Sequence, residues 1–486
     1  MTKHVLVWFR RDLRIEDNPA LAAALNTHLP IIPVYIHAPE EEAPWVPGGA
    51  SDWWLHHALE SLDRELNQHG LRLVLRNQAT LESLLEICRT HNVSHIFWNR
   101  RYEPAIIRRD TYIRQQLNDE GIVTKSFSAS VLFEPHTIKN RSGKPFRVFT
   151  PFWRHLNTLP VEGPVRINGS KLTAALEPPR GEPLQALGLL PRTPWDKMFY
   201  QVWDPSLKGS AKALNEFVNQ RVTRYKDHRD LPAVNGTSRL SPYLHFGQIG
   251  PRQVWQAVQQ TGSAGSPGEY TFLSEVGWRE FAHHLIYHFP ETPEQPLNKG
   301  FSQFPWKPDA TYLKAWQRGQ TGYPIVDAGM RQLWQTGWMH NRVRMITASF
   351  LVKHLLQPWQ EGARWFFDTL VDADLASNTM GWQWTAGCGA DASPYFRIFS
   401  PMLQGAKFDS DGDYVRRWVP ELKELPSKFI HQPWEAPLAV LKKAGVDLGE
   451  NYPKPVIDHR AGRERALSAL SLNKQMNQSD RVGDTH

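Results

Sequence analysis

The sequence of 486 residues is poor in cysteine and has only Cys88 and Cys388. Two thiols in so long a chain exclude a disulfide framework and a four-ligand cysteine site for a metal, and they indicate a reducing, cytoplasmic setting. Apolar runs long enough to cross a membrane are missing as well. The short apolar run before Arg10 is interrupted too early for a secretory signal, and it predicts a first β-strand instead.

Tryptophan, by contrast, is abundant, with 20 residues in the chain. Indole rings fill cores, but they also stack on bases and flavins and can lose one electron. The chain carries a formal net charge of +7 at pH 7. This basic excess is compatible with a polyanionic partner and equally with a solvated basic surface, so charge alone does not identify a ligand.

Residues 1–130 alternate short apolar runs with amphipathic stretches. Such alternation predicts an α/β domain with a doubly wound parallel sheet. The G-x-G-x-x-G pattern that grips dinucleotides does not follow the first strand, so this domain has another role. The predicted strands are Val5–Phe9, Ile31–Ile36, Leu71–Leu75, His95–Trp98 and Val123–Phe127, and the predicted helices are Pro19–Asn26, Ser51–Gln68, Thr80–Thr90 and Pro104–Asn118.

Residues 131–205 are rich in proline and glycine but contain the aromatic segment 145–153. So many aromatic side chains do not stay in water, and we expect a long ordered connector rather than a flexible linker. From residue 206 to residue 465 the apolar side chains recur with helical spacing, which predicts an all-α domain. Residues 466–486 are polar, and we expect a frayed tail there.

Two segments of the helical region carry polar side chains suited to a ligand. The hydroxyls and backbone amides of Thr237–Ser241 suit phosphate oxygens, although a simple helix cap before Pro242 is the more economical explanation. On a helix, Glu275, Trp278 and Arg279 share one face. A carboxylate, an indole and a guanidinium suit a pocket that binds a base, whereas the alternative is an exposed, ion-paired face.

The segment from residue 338 to residue 345 places Asn341 and Met345 one helical turn apart, with Arg342 and Arg344 beside them. Methionine offers an adaptable surface to a planar ligand, and arginine can contact phosphate. The alternative is a core methionine flanked by solvated arginines. This pattern therefore indicates a ligand site without identifying the ligand.

Further along the chain, Asp374, Asn378 and Trp382 recur at four-residue intervals and form one stripe if the segment is helical. Gly381 weakens the helix prediction. An acid, an amide and an indole in line suit a polar, redox-active ring. Asp372 and Asp374 also resemble a divalent-metal pattern, but no third carboxylate follows at matching spacing, so we expect no metal.

These segments belong to a series of motifs that resembles the photolyase/cryptochrome family over nearly the whole chain. The resemblance is greatest to the class I cyclobutane pyrimidine dimer photolyases of bacteria. Any one motif is weak evidence, but their order and spacing together are specific. The motifs are Trp8–Arg14, Phe149–Phe152, Thr237–Ser241, Trp278–Phe281, Thr321–Ala328, Gly337–Arg342, Gly381–Trp384 and Pro394–Arg397.

The resemblance implies FAD, folded into a U within the helical domain. Asn378 matches the position that faces flavin N5, where plant cryptochromes typically carry aspartate and animal cryptochromes cysteine. The family's electron chain matches Trp306, Trp359 and Trp382. The positions that match the family's cofactor contacts are Tyr225, Thr237, Ser238, Arg239, Leu240, Ser241, Phe272, Glu275, Arg279, Asn341, Arg344, Asp372, Asp374 and Asn378.

The resemblance also implies the substrate, which is damaged DNA. In (6-4) photolyases two histidines occupy the positions of Asn341 and Met345 and handle a proton that the (6-4) lesion requires. Here both side chains are non-titrating, which favours a cyclobutane dimer. The implied lesion pocket consists of Glu275, Trp278, Asn341, Met345 and Trp384, and the implied phosphate contacts are Arg342 and Arg397.

In the implied mechanism the dimer is flipped out of the duplex, and an electron passes to it from the reduced flavin under blue light. The cyclobutane ring opens and the electron returns. A protonated Glu275 would stabilise the dimer radical anion by a hydrogen bond. We expect a monomer that binds DNA in a salt-dependent manner with little sequence preference.

Members of the family often hold an antenna chromophore in the N-terminal domain. Glu103 matches a carboxylate that contacts a folate in some members. Methenyltetrahydrofolate is the first choice, and a deazaflavin or no antenna are the alternatives.

Three rival functions remain for the experiments to separate. A cryptochrome-like receptor without repair activity is disfavoured by Asn378 and by the short segment after Tyr452. A (6-4) photolyase is disfavoured by Asn341 and Met345. A flavoprotein oxidoreductase is disfavoured because the glycine-rich fingerprint is absent.

Overall fold

Strand β1 (His4–Phe9) lies at the centre of a five-stranded parallel sheet, in the order β3-β2-β1-β4-β5. Its residues from Val5 to Phe9 are all buried, as expected for a strand covered on both faces. The computed structural model describes residues 2–261, 265–392 and 396–483. The other strands are β2 (Ile31–Ile36), β3 (Val74–Arg76), β4 (Val93–Asn99) and β5 (Val123–Phe127).

Four helices alternate with the strands, which confirms the predicted doubly wound α/β fold. Strand β3 begins later than predicted, because only residues from Val74 onward pair with β2, although Leu71 and Leu73 are buried. The other predicted boundaries are at most two residues from the observed ones. The four helices are α1 (Pro19–Leu25), α2 (Gly49–Gln68), α3 (Thr80–Thr90) and α4 (Pro104–Asp119).

After β5 the described part of the chain contains helices, short turns and isolated bridges but no further strand of the sheet, in agreement with the predicted all-α region. None of the helices described is both long enough and apolar enough to span a membrane. The helices are α5 (Phe149–Leu156), α6 (Phe199–Val202), α7 (Leu207–Gln220), α8 (Tyr225–His228), α9 (Ser241–His245), α10 (Pro251–Gln259), α11 (Pro267–His288), α12 (Ala310–Gln317), α13 (Pro324–Thr336), α14 (Asn341–Ser349), α15 (Trp359–Thr369), α16 (Leu375–Ala386), α17 (Pro401–Phe408), α18 (Asp413–Trp418), α19 (Leu438–Lys443) and α20 (His459–Gly483).

The chain divides into two compact units, and the division does not fall at residues 130 and 205. The first unit contains Met1–Lys226, Thr237–Pro290 and Val371–Ala376, and the second contains Asp227–Gly236, Glu291–Leu370 and Ser377–His486. Residues beyond the connector join the first unit because side chains of the α/β domain bond to them. The indole of Trp54 on α2, for example, donates to Gln248 Oε1 at 2.8 Å.

The segment expected to be a frayed polar tail is helical up to Gly483. Ala466, Ala469 and Asn473 are buried, and Asn473 Nδ2 donates to the carbonyl of Gly300 at 2.8 Å. Small and amide side chains let this helix pack closely, and their low hydrophobicity hid the packing face from the sequence pattern.

The aromatic residues of the connector pack on α11, the longest helix of the first unit. The ring of Phe149 stacks on Trp278 with centroids 3.7 Å apart, and the ring of Phe152 lies 5.0 Å from that of Phe281. Glu280 Oε2 accepts hydrogen bonds from the backbone amides of Leu132 and Phe133, at 2.9 and 3.3 Å. These contacts fix the position of α11.

Replacing Glu280 by glutamine is expected to flatten the pH dependence of stability. Burial raises the pKa of Glu280 to about 7, above the ordinary 4.5. The folded state therefore favours the protonated form, and this contribution is complete below about pH 4.5 and is lost as the pH rises through 7. The free energy of unfolding is measured in urea at pH 5 and at pH 8. Between these two pH values it should fall by up to about 3 kcal/mol more in the wild type than in E280Q. An equal fall in the two proteins would contradict the stabilisation of the folded state by protonated Glu280.

Candidate functional site

Polar side chains at four-residue intervals form a stripe on one face of α11: Glu275, Arg279 and His283. Arg279 Nη1 donates to the carbonyl of Ser130 at 2.5 Å, which anchors the guanidinium to the residue just before the connector. His283 Nε2 lies 3.6 Å from Asp374 Oδ2. The stripe thus reaches one of the two aspartates assigned to the cofactor.

Trp278, expected to stack on a flipped-out base, already stacks on Phe149. The two rings are 10° from parallel, so one face of the indole is covered within the first unit. A base could therefore use only the other face or the edge of Trp278. The connector supports this side chain, a role that the spacing along α11 did not reveal.

Segment Thr237–Ser241 leads into α9, which begins at Ser241 without a side-chain cap. The hydroxyls of this segment are therefore not used as the simple N-cap that the sequence allowed. Arg239 has a φ of 55°, a left-handed conformation that costs a non-glycine residue of order 1 kcal/mol, and its guanidinium lies 4.3 Å over the ring of Trp203. Such conformations persist where a site requires them.

The remaining cofactor residues of the first unit are largely buried. Tyr225 and Phe272 pack against each other and against Phe217, with ring centroids 4.4 to 5.7 Å apart. Asp372 is buried and its carbonyl accepts from the amide of Asp374 at 2.7 Å.

The donor set of the first unit fits FAD. Carboxylates accept from ring N–H groups, a guanidinium donates to ring carbonyls, and aromatic walls suit a flat ring. Among the described residues, the Nε2 atom of His245 is buried without a hydrogen-bond partner. An unpaired buried nitrogen of this kind is compatible with a ligand-binding region.

Asn378, on α16 in the second unit, has a fixed amide orientation. Its Nδ2 donates to the carbonyl of Ala363 at 2.9 Å. Because the nitrogen is used there, Oδ1 lies on the opposite side of the amide group as a hydrogen-bond acceptor. This orientation suits the N–H that a flavin carries at N5 when it is reduced.

Trp382 is 2% exposed and packs against Phe366 and Trp316, with ring centroids 5.0 and 6.1 Å away. Gly362 lies directly under its six-membered ring, where an added Cβ would overlap the ring. Trp359, the first residue of α15 and three residues before Gly362, is buried as well.

Trp306, the third tryptophan of the expected chain, is half-buried and packs against Phe304, with ring centroids 4.4 Å apart. A half-buried indole is reachable by a reductant from solvent. Of the three tryptophans assigned to the electron path, Trp359 and Trp382 are buried and Trp306 is half-buried.

Helix α14 begins at Asn341, which is exposed, and Met345 is half-buried one turn later. The N-cap is His340, whose Nδ1 accepts from the amide of Arg342 at 3.2 Å. Arg344 Nε donates to the carbonyl of Met339 at 2.8 Å. Trp384, on α16, is half-buried.

Arg342, expected to contact DNA phosphate, is held by Asp230. Its Nη2 lies 2.9 Å from Asp230 Oδ2, its Nε donates to Oδ1 at 3.3 Å, and its guanidinium lies 4.5 Å over the ring of Phe408. Arg397 is exposed, while residues 393–395 of the same motif lie outside the described part of the chain.

Glu103, expected to contact an antenna, forms ion pairs with Arg101 at 2.8 Å and with Arg11 at 3.3 Å. Burial alone would raise the pKa of Glu103, but the two guanidinium groups hold it well below its usual range. Both arginines line a pocket at the carboxyl ends of β1, β2 and β4, and Glu103 is not among the lining residues. Glu103 therefore positions the pocket's arginines.

His283 and Asp230 are two site residues that sequence reasoning missed. His283 continues the stripe of Glu275 and Arg279, so its four-residue spacing was a usable signal. Asp230 lies 112 positions from Arg342, and no local pattern connects them.

Comparison with known proteins identifies the family. A family model described as the FAD binding domain of DNA photolyase matches residues 272–472, and one described as DNA photolyase matches residues 5–166. A deoxyribodipyrimidine photo-lyase of Agrobacterium fabrum is 49% identical over 481 residues, covering 98% of this chain and 99% of that protein. Cryptochrome-2 of Arabidopsis thaliana is 40% identical, covering 98% of this chain and 80% of that protein.

A solved structure supports the same conclusion. The crystal structure of a bacterial class III photolyase from Agrobacterium tumefaciens has a TM-score of 0.94 and 49% identity, and the match covers 98% of both chains. Its class differs from class I, which the sequence motifs favoured, although the family is the same. This chain belongs to the photolyase/cryptochrome family and contains its FAD-binding domain.

Proposed function

We propose that this protein is a deoxyribodipyrimidine photolyase that repairs cyclobutane pyrimidine dimers in DNA under blue light. The observation that carries the proposal is the amide of Asn378, which is fixed by the carbonyl of Ala363 and offers an oxygen acceptor for reduced flavin. The photo-lyase of Agrobacterium fabrum, 49% identical, supports it.

The proposed FAD contacts are the fourteen positions given by the family resemblance. When bound and reduced, FAD supplies the light-excited electron. The stripe on α11 would orient the ring through Arg279, and Asn378 Oδ1 would accept a hydrogen bond at N5. Trp306, Trp359 and Trp382 would carry electrons inward to restore the reduced state.

The proposed lesion contacts are Asn341, Met345 and Trp384 of the second unit and Glu275 and Trp278 of the first. Asn341 and Met345 do not titrate near neutral pH, so they offer no acid or base to a (6-4) photoproduct. A cyclobutane dimer needs no net proton transfer.

The decisive experiment uses the purified protein with FAD in its reduced form. Oligonucleotides that carry either a cyclobutane thymine dimer or a (6-4) photoproduct are illuminated with blue light, and intact thymines are quantified. Repair of the first substrate alone supports the proposal. A flavin spectrum without repair of either substrate would favour a receptor, and repair of the second alone would favour a (6-4) photolyase.

Replacing Glu275 by alanine is expected to lower the repair yield per absorbed photon by at least about threefold. A hydrogen bond to a charged group contributes about 1.5–3 kcal/mol, and alanine removes it from the dimer radical anion. E275Q keeps a neutral donor and should retain most of the yield. An unchanged yield in E275A, at saturating DNA, would exclude this role.

Replacing Asp230 by asparagine is expected to raise the affinity for DNA severalfold, with or without a lesion. Arg342 would no longer be neutralised, and one more phosphate contact makes the slope of log K against log salt steeper by about 0.9. D227N removes an equal charge from the same chain segment and serves as the control. An effect of D227N equal to that of D230N would show a general change in charge rather than release of Arg342.

We further infer that an antenna chromophore binds in the arginine-lined pocket of the α/β domain. Crevices at the carboxyl ends of parallel strands are the usual ligand sites of such sheets. The lining holds Arg10, Arg11, Arg101 and Arg109 against the two carboxylates Glu42 and Asp52, and this positive excess suits the carboxylates of methenyltetrahydrofolate, the first choice. Reconstitution with this folate should add an absorption band to that of FAD, and R101A should weaken it.

A further inference from the structure

His283 takes no part in the proposed repair reaction, yet it is buried beside a carboxylate of the proposed cofactor site. It is 7% exposed, and its two ring nitrogens have different partners. Nδ1 lies 3.0 Å from the carbonyl oxygen of Arg279, one turn earlier on α11. Nε2 lies 3.6 Å from Asp374 Oδ2.

These partners determine where a proton can bind. A carbonyl oxygen only accepts, so Nδ1 must carry the hydrogen. In a neutral imidazole Nε2 then has a lone pair, which faces the oxygen of Asp374. The lone pair of Nε2 and the oxygen of Asp374 repel each other. A proton between the two atoms replaces this repulsion by an attraction, so the pair can bind one extra proton.

The surrounding charges have opposite effects on the protonation of His283, so a further charge nearby can change its protonation state. Burial has the largest effect and lowers the pKa of His283, while Asp374 and Glu103 favour the protonated form and Arg279 disfavours it. The ring of Tyr102 lies 6.2 Å from that of His283, and its hydroxyl is bonded to Glu134. A negative charge added nearby would favour protonation.

We propose that His283 and Asp374 form a proton-binding pair that takes up one proton when the neighbouring flavin is reduced. This rests on the proposed contact between Asp374 and FAD. Two electrons from a chemical reductant and one proton enter the flavin, giving its anionic reduced form. A second proton enters the pair, whose added positive charge balances the anion.

The test is the pH dependence of the reduction potential of bound FAD, measured by spectroelectrochemical titration between about pH 6 and pH 8. Each proton taken up with two electrons changes the equilibrium constant tenfold per pH unit, which is about 30 mV. The reduction potential should change by about 60 mV per pH unit in the wild type and by about 30 mV per pH unit in His283→Phe.

His288→Phe is the matched control, because His288 lies on the same helix and bonds to the carbonyl of Pro135 at 3.0 Å. It should keep the wild-type slope. His283→Gln, with a polar side chain, replaces His283→Phe where the latter does not retain flavin. Its expected slope is the lower one.

A wild-type slope of about 30 mV per pH unit overturns the proposal, whatever the variants show. So does the higher slope in both His283 variants, or the lower slope in His288→Phe. Failure of the proposed function is distinguishable, since it appears as a wild-type protein that binds flavin but restores no thymines. A protein that binds no flavin would overturn both proposals.

Discussion

Trp382→Phe is expected to block photoreduction of oxidised flavin, by at least about tenfold, and to spare repair by enzyme that is already reduced. Phenylalanine is much harder to oxidise than tryptophan, while its ring still fills most of the space against Phe366 and Gly362. The measurement is the rate of flavin bleaching under blue light with an external thiol, followed by single-turnover repair.

Trp434→Phe is the control for this substitution. Trp434 is in the same unit, packs on Tyr323 with ring centroids 5.4 Å apart, and is not one of the three tryptophans assigned to the electron path. It should leave photoreduction unchanged. Photoreduction of Trp382→Phe at the wild-type rate would refute the assigned path, whereas loss of repair in the pre-reduced enzyme would show structural damage instead.

Asp327→Ala is expected to destabilise the second unit by about 3 kcal/mol or more. Asp327 is fully buried, and its carboxylate accepts four hydrogen bonds. Oδ1 accepts from the amide and hydroxyl of Thr321, each at 2.7 Å, and Oδ2 accepts from the amide of Gly322 at 3.0 Å and the hydroxyl of Tyr452 at 2.8 Å. Alanine would leave these donors buried without partners.

Urea unfolding of the purified protein, with FAD content recorded, measures this loss. Tyr452→Phe removes only one of the four hydrogen bonds and should cost about 1 kcal/mol. An equal, small effect of both substitutions would contradict the network. The same network accounts for the motif Thr321–Ala328, because Asp327 accepts hydrogen bonds from Thr321 and so holds the two ends of the motif together.

Local patterns predicted the fold well, because burial on both faces makes central strands such as His4–Phe9 and Ile31–Ile36 predictable as short apolar runs between turn residues. The stripes of polar side chains on α11 and α16 could also be predicted from the sequence, since a spacing of four residues places side chains on one face of a helix. The helix from His459 was not, because its packing residues are small or polar.

Pairings between distant residues could not be predicted. Glu103 and Arg342 were each recognised as charged residues of a site, but the sequence does not show that Arg101 and Arg11 hold the first and that Asp230 holds the second. Stacking of Phe149 on Trp278 is hidden for the same reason. Only tertiary structure decides which partner satisfies a buried charge or covers an aromatic face.

The carbonyl of Ala363 restricts which chemistry position 378 can supply. Asparagine donates to this oxygen without a change of protonation. An ionised aspartate would place two acceptors face to face at the same distance, so an aspartic acid here would have to hold a proton to keep the contact. One backbone oxygen thereby demands a hydrogen-bond donor at this position, which an amide supplies at every pH and an acid only while it is protonated.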